Sequence, residues 1–376
     1  MDNSRFKIKN TLGMFDLLKG WMMLLMILAH TYGLFDIMNE YESFDDFIAA
    51  QNPIILVLLL LFVVIAEASM PILFVASGYG FRKTTFKKCV EKQAKMLLYP
   101  YAVTACVTVV FHFVYYYMRY RSGLRPAVVQ TIRLLAGFVL GLSAETTFLG
   151  QKTGVCGPVW FLLALFIGNV IFNELLQHFE GKKLLLASVL VSVVGWLLSL
   201  GRVMPWALSQ SLVAVLYICF GYMIKKNKIY TSNEKPVLRI VVMVLILVIH
   251  IIMRCFGEYN MAVNIYTFGP LSIIVCGLSA CLTAYLFLFL NGFRGRISEF
   301  IRKIGRLSLY VLCVHTVEIM GMGVYAQYDF VNNYPGNHYV ASWTVFAVRL
   351  VLVIGGTFAF VWVKDLVSGF IKKKEA

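Results

Sequence analysis

Apolar residues recur along this chain in long unbroken runs separated by short polar turns. They show neither the two-residue alternation of a half-buried strand nor the narrow apolar stripe of a soluble helix. A helix of about 20 apolar residues spans the hydrocarbon core of a bilayer. Ten runs meet that test, at roughly 15–35, 54–81, 96–118, 157–177, 184–200, 205–224, 237–256, 267–291, 305–325 and 341–364. An eleventh, at about 127–143, is shorter and carries Arg133, and reads as an interfacial or re-entrant half-helix. The pattern predicts an all-α, polytopic integral membrane protein of about ten transmembrane helices, a single domain over 1–376 with no internal repeat or soluble appendage.

Composition strengthens this. Of 376 residues, 60% are hydrophobic and only 14% charged. That leaves too few charges to coat a soluble globule, so lipid must face much of the surface. The net charge of +15 is not a nucleic-acid footprint, because the basic residues sit in short loops between apolar runs instead of one exposed face. With the N-terminus inside, 24 lysines and arginines fall on the inner side and six on the outer. An eleventh full span before residue 157 would move the later basic loops outside, so ten spans with both termini cytoplasmic fit best. The first outer loop carries Asp36, Glu40, Glu42, Asp45 and Asp46. No small-residue cleavage site follows the first run, so it reads as a retained helix and not a signal peptide. The eight cysteines form no CxxC pair and suggest neither a zinc site nor a disulfide framework.

Ionisable groups within the bilayer are functional candidates by default, since each costs about 2.5–3.5 kcal/mol on insertion scales. Here they are Asp16, Lys19, His30, Glu67, His250, Arg254, His315, Glu318 and Arg349. Lys19 and His30 are eleven residues apart, almost three whole turns, so they share a face about 16 Å apart along the axis. Asp16 lies one turn before Lys19 and can pair with it. Glu318, three residues after His315, can fix its tautomer or hold its proton. His30 reads as a base or as a satisfied core histidine. His250, Arg254 and Arg349 read equally as anchors near helix ends. Glu67, four residues before Pro71, reads as a chemical group or as part of a helix break.

Several segments together resemble the acyltransferase-3 family of membrane acyltransferases. Asp16-Leu17-Leu18-Lys19-Gly20 with His30 is similar to that family's first-helix signature of an Arg, ten residues and a His. Met70-Pro71 through Ser77-Gly78-Tyr79 resembles its second-helix ending, and the basic run to Lys92, Lys95 and Pro100 its Arg-x-x-Arg loop. Trp160-Phe161-Leu162 and Ser308-Leu309-Tyr310 with His315 also fit, in order along nearly the whole chain. Lys19, Lys92 and Lys95 stand where the family carries arginine, keeping the charge without the planar fork.

The resemblance implies transfer of an acyl group, usually acetyl from cytoplasmic acetyl-CoA or another acyl-CoA, to a hydroxyl of a surface glycan or glycolipid, with no metal. His30 would be the base or acyl carrier, with His315, Glu318 and Asp16 as catalytic partners. Lys19, Arg82, Lys83, Lys92, Lys95 and Ser77 would hold the donor, and Trp160, Glu67, His250 and Arg254 the acceptor. No esterase-like domain of the kind some members carry is expected, which favours a stand-alone enzyme or one with a separate partner. A proton-coupled transporter or flippase and a non-catalytic membrane sensor or module are the competing readings. The first of these requires inverted repeats and paired broken helices, of which the sequence offers one candidate break, at Pro71.

Overall fold

A computed structural model describes residues 8–34, 52–120, 123–148, 150–201, 203–231 and 236–375. The acidic residues Asp36, Glu40, Glu42, Asp45 and Asp46 lie outside them. Helix α1 is Ile8–Ala29 and α2 is Pro53–Gly80; Asn52 caps α2, its side chain accepting from the Ile54 amide at 2.9 Å, with Pro53 in the first turn. Helix α3 (Phe86–Gln93) runs through a π turn at Ala94–Leu98 into α4 (Tyr99–Tyr120), and α5 is Leu124–Leu140. A hairpin of β1 (Thr146–Phe148) and β2 (Gln151–Thr153) leads to α6 (Trp160–His178), α7 (Gly181–Ser199), α8 (Leu208–Lys226) and α9 (Pro236–Phe256). A second hairpin, β3 (Tyr259–Asn260) and β4 (Ile265–Tyr266), precedes α10 (Pro270–Leu290) and α11 (Arg296–Arg306). Helix α12 (Ser308–Glu318) continues through a π turn at Ile319–Gly323 into α13 (Val324–Asn332), and α14 is His338–Glu375.

Among the described residues, eight helical stretches are long and apolar enough to cross a bilayer. With α1 (22 residues) and α9 (21 residues) they match the ten apolar runs one for one. This is a multi-pass membrane protein. The eleventh run is α5, a 17-residue helix lying along α4. His112 Nδ1 and Thr131 Oγ1 lie 3.1 Å apart between the two helices, and Gly141 ends α5 in the left-handed conformation. Pro71 sits inside α2 without ending it, so the expected break is absent. The proline leaves the Glu67 carbonyl without its helical amide, and Cys276 Sγ of α10 donates to that carbonyl at 3.5 Å.

The core centres on α8, whose Val213 to Cys219 are all fully buried against α2, α6 and α7. Helix α11 is amphipathic and lies across the start of α1. Gly20 meets the Ile301 carbonyl and Gly305 meets the Asp16 carbonyl so closely that a Cβ at either would collide with backbone. Arg302, fully buried, donates to the Gly13 carbonyl and to the side chain and carbonyl of Asn291, closing the α10–α11 turn on α1. Phe358 of α14 packs on Phe300 and under the Lys303 ammonium of the same helix, so α1 and α14 both rest on α11.

Candidate active site

One cavity of about 1210 Å³ runs between α1, α2, α6, α12 and the β3–β4 hairpin. Asp16 and Lys19 line one end, with Tyr79 and Gly80. His30, Glu67, Trp160 and Arg254 line the rest, together with the connectors at Ser143 and Val155–Pro158. Lys19 and His30 therefore face one continuous space. Met22, Met23 and Met26 of α1 line the stretch between them, opposite Met70, Leu73 and Ala76 of α2. Both π turns contribute, Met96 and Leu97 from one, Ile319 and Met320 from the other. Such one-residue excesses in a helix often occur at functional sites, because they re-aim side chains without breaking the helix.

His30 follows the last turn of α1 and is exposed to the cavity. Its Nδ1 lies 2.7 Å from the Met26 carbonyl, which can only accept, so Nδ1 carries the proton and Nε2 keeps the lone pair. Behind it His315 packs edge-on with ring centroids 5.3 Å apart, and His315 is fully buried. His315 Nδ1 lies 3.4 Å from Glu318 Oε2, but neither ring nitrogen makes a hydrogen bond among the described residues. The carboxylate of Glu318 belongs to Arg349, which grips it two-pronged at 3.0 and 3.1 Å. The same guanidinium donates to the His30 carbonyl and, at 3.2 Å, to Gln327 Oε1. Gln327 in turn accepts from the Tyr32 amide at 3.1 Å. Arg349 is thus a buried clasp holding the end of α1, not a helix-end anchor. Sequence spacing put His315 beside Glu318; that Arg349 completes the pair needed α14 folded against α12.

A second cluster forms where α2, α9 and α10 meet. Glu67 Oε2 lies 3.0 Å from His250 Nε2 and Oε1 lies 3.2 Å from Arg254 Nε. His250 Nδ1 lies 2.8 Å from Ser279 Oγ, and Arg254 donates to the Gly257 carbonyl at 3.0 Å. Glu67 and Arg254 reach the main cavity, whereas His250 is buried behind them and does not line it. These three were single candidates in the sequence, and nothing in it signalled that they converge.

Asp16 stands apart from His30, fourteen residues or about 21 Å back along α1. It pairs instead with Lys19 at 3.6 Å and Arg306 at 3.8 Å. Ser77 lines the cavity and donates to Asn169 Oδ1 at 3.2 Å. Arg82, Lys83, Lys92 and Lys95 are exposed and do not line the cavity. The cations that meet this end are Lys19, Arg306 through Asp16, and Lys225, whose ammonium lies 5.8 Å above the Tyr79 ring. Arg82 and Lys83 precede α3, Lys92 lies on it and Lys95 in the π turn after it, while Arg306 and Lys225 arrive at the C-terminal ends of α11 and α8, far away in sequence. Beside them, outside the spans, Arg294 donates to Glu299 at 3.0 Å, and that bond holds the Glu299 carboxyl below its ordinary range.

A family model described as an acyltransferase domain matches residues 13–363, nearly the whole chain. The chain belongs to this acyltransferase family. Comparison with curated proteins and with solved structures gave no match. The cavity has Lys19 at one end, an apolar stretch lined by methionine and leucine side chains, and the His30 imidazole with an accessible lone pair. Among the described residues no three His, Cys, Asp or Glu side chains converge as metal ligands would.

Proposed function

We propose that this protein moves an acetyl or other acyl group from cytoplasmic acyl-CoA, through the bilayer, to a hydroxyl of a surface glycan or glycolipid, with His30 as general base or transient acyl carrier. The observation that carries this reading is that Lys19 and His30 line one cavity. CoA phosphates need cations, and Lys19 lies at the basic face with Arg306 and Lys225 nearby. Arg82, Lys83, Lys92 and Lys95 act at longer range, drawing a polyanion toward the opening without gripping it. The flexible arm bearing the thioester reaches inward past Ser77 over the about 16 Å between Lys19 and His30.

At His30 the acceptor O–H gives its proton to Nε2 as its oxygen attacks the thioester carbonyl carbon. The new C–O bond forms, the C–S bond breaks, and the leaving thiolate takes the proton back from the imidazolium. In the carrier variant Nε2 attacks first, the C–S bond breaks and the thiolate leaves; the acceptor oxygen then attacks the acyl-imidazolium, the C–N bond breaks, and the hydroxyl proton ends on the thiolate. His315 supports the His30 ring, and Glu318 acts through Arg349, which fixes the His30 backbone. Trp160, Glu67 and Arg254 face the acceptor side, with His250 holding Glu67 in place.

The test is acyl transfer from labelled acetyl-CoA to surface glycan in membranes carrying His30→Ala. Loss of a base is worth on the order of 10²–10⁴ in rate. We expect a fall of that size with the protein at normal abundance in the membrane; transfer at the unmodified rate would overturn the proposal.

A further inference from the structure

The end of the cavity beyond His30 is roofed by residues 257–269, the β3–β4 hairpin joining α9 to α10. Its residues Glu258 to Val263 all line the cavity. Ser143 and the hairpin meet through Gln210, and Trp160 and Asn260 line the same cavity. Trp160 is 3% exposed, and its indole N–H has no hydrogen-bond partner among the described residues. The Asn260 amide is likewise without a side-chain partner there. Ser143 accepts a hydrogen bond from Gln210 Nε2 at 2.7 Å, which leaves its own hydroxyl proton to donate. Gln210 is fully buried and is itself fixed by Ser209 Oγ at 2.9 Å and the Ala262 carbonyl at 3.3 Å. The hairpin is pinned below by Tyr259, whose hydroxyl lies 2.8 Å from that of Tyr217.

We infer that this hairpin, with Ser143 and Trp160, is the acceptor subsite, built for a neutral polyhydroxylated ligand; the inference rests on the acyltransferase reading above. An anionic ligand would meet the carboxylate of Glu258, which lines the cavity. Glu67 and Arg254 match each other's charge at 3.2 Å, and among the described residues that line this end Arg254 is the one cation. A sugar hydroxyl both donates and accepts, and so does the Asn260 amide, while Trp160 and Ser143 donate. Gln210 is a positioning residue that acts through Ser143.

The experiment measures KM for both substrates in Asn260→Ala, Asn260→Ser and Ser143→Ala. The acceptor probe is surface glycan from the cell that makes the protein, stripped of O-acyl groups by mild alkali. Losing one neutral hydrogen bond raises the acceptor KM roughly 2- to 13-fold. The acetyl-CoA KM should stay where it is. An unchanged acceptor KM, or a parallel rise in both KM values, would overturn the subsite while His30-dependent transfer keeps the enzyme reading alive. Absence of His30-dependent transfer in the unmodified protein would instead remove that reading, and the subsite with it.

Discussion

Two clusters of the same composition, one His, one Glu and one Arg each, sit in this protein and are built for different ends. In the cluster of His315, Glu318 and Arg349 every member is buried, and the guanidinium closes both prongs on the carboxylate before reaching the His30 carbonyl. In the cluster of Glu67, His250 and Arg254 only the histidine is sealed, while the Glu and Arg face the cavity and Arg254 is a third exposed. The first fixes the end of α1, and so His30, against three other segments. The second lines a wall that a ligand can touch. Residue type is the same in both; enclosure decides whether a charge pair acts as a fastener or as a binding surface.

The comparison breaks most sharply at Glu318. Glu318→Ala leaves Arg349 buried without a counter-charge, which costs about 3–5 kcal/mol; thermal unfolding in detergent should show a large loss of stability, and transfer should fall with it. Glu67→Ala should cost less, about 1–3 kcal/mol, because Arg254 can turn to the water-accessible cavity. A stability loss equal to that of Glu318→Ala would mean that the two clusters are alike. The smallest effect is at the far end of the cavity. Lys19→Ala removes a charge-assisted contact of about 1.5 kcal/mol, so KM for acetyl-CoA should rise about tenfold, while Lys19→Arg should stay within about twofold. Equal losses from both substitutions would contradict a charge-holding role.

The membrane architecture was legible because span length and loop charge are local properties: each apolar run names its own helix, and the shared face of Lys19 and His30 follows from eleven residues of helical rise. The pairing of His315 with Glu318 was half legible for the same reason. What local spacing cannot carry is convergence. Glu67 meets His250 from 183 residues away, and Arg349 meets Glu318 from 31. Arg302, counted in the sequence only as an inner-loop charge, is a fully buried staple of α11 to α1. The basic run at Arg82 to Lys95 is exposed and does not line the cavity, although its sequence neighbours Tyr79 and Leu97 do. Pro71 reads as a break in a lone helix, yet packed neighbours carry α2 through it.

In the proposed reaction the acyl group crosses the membrane while its carrier stays behind. Inside-out vesicles holding this protein, with de-O-acylated glycan sealed in the lumen and labelled acetyl-CoA supplied only outside, test it directly. Label should appear on the enclosed glycan, dependent on His30 and without leakage of CoA into the lumen; label appearing only when donor and glycan share one side would contradict that crossing.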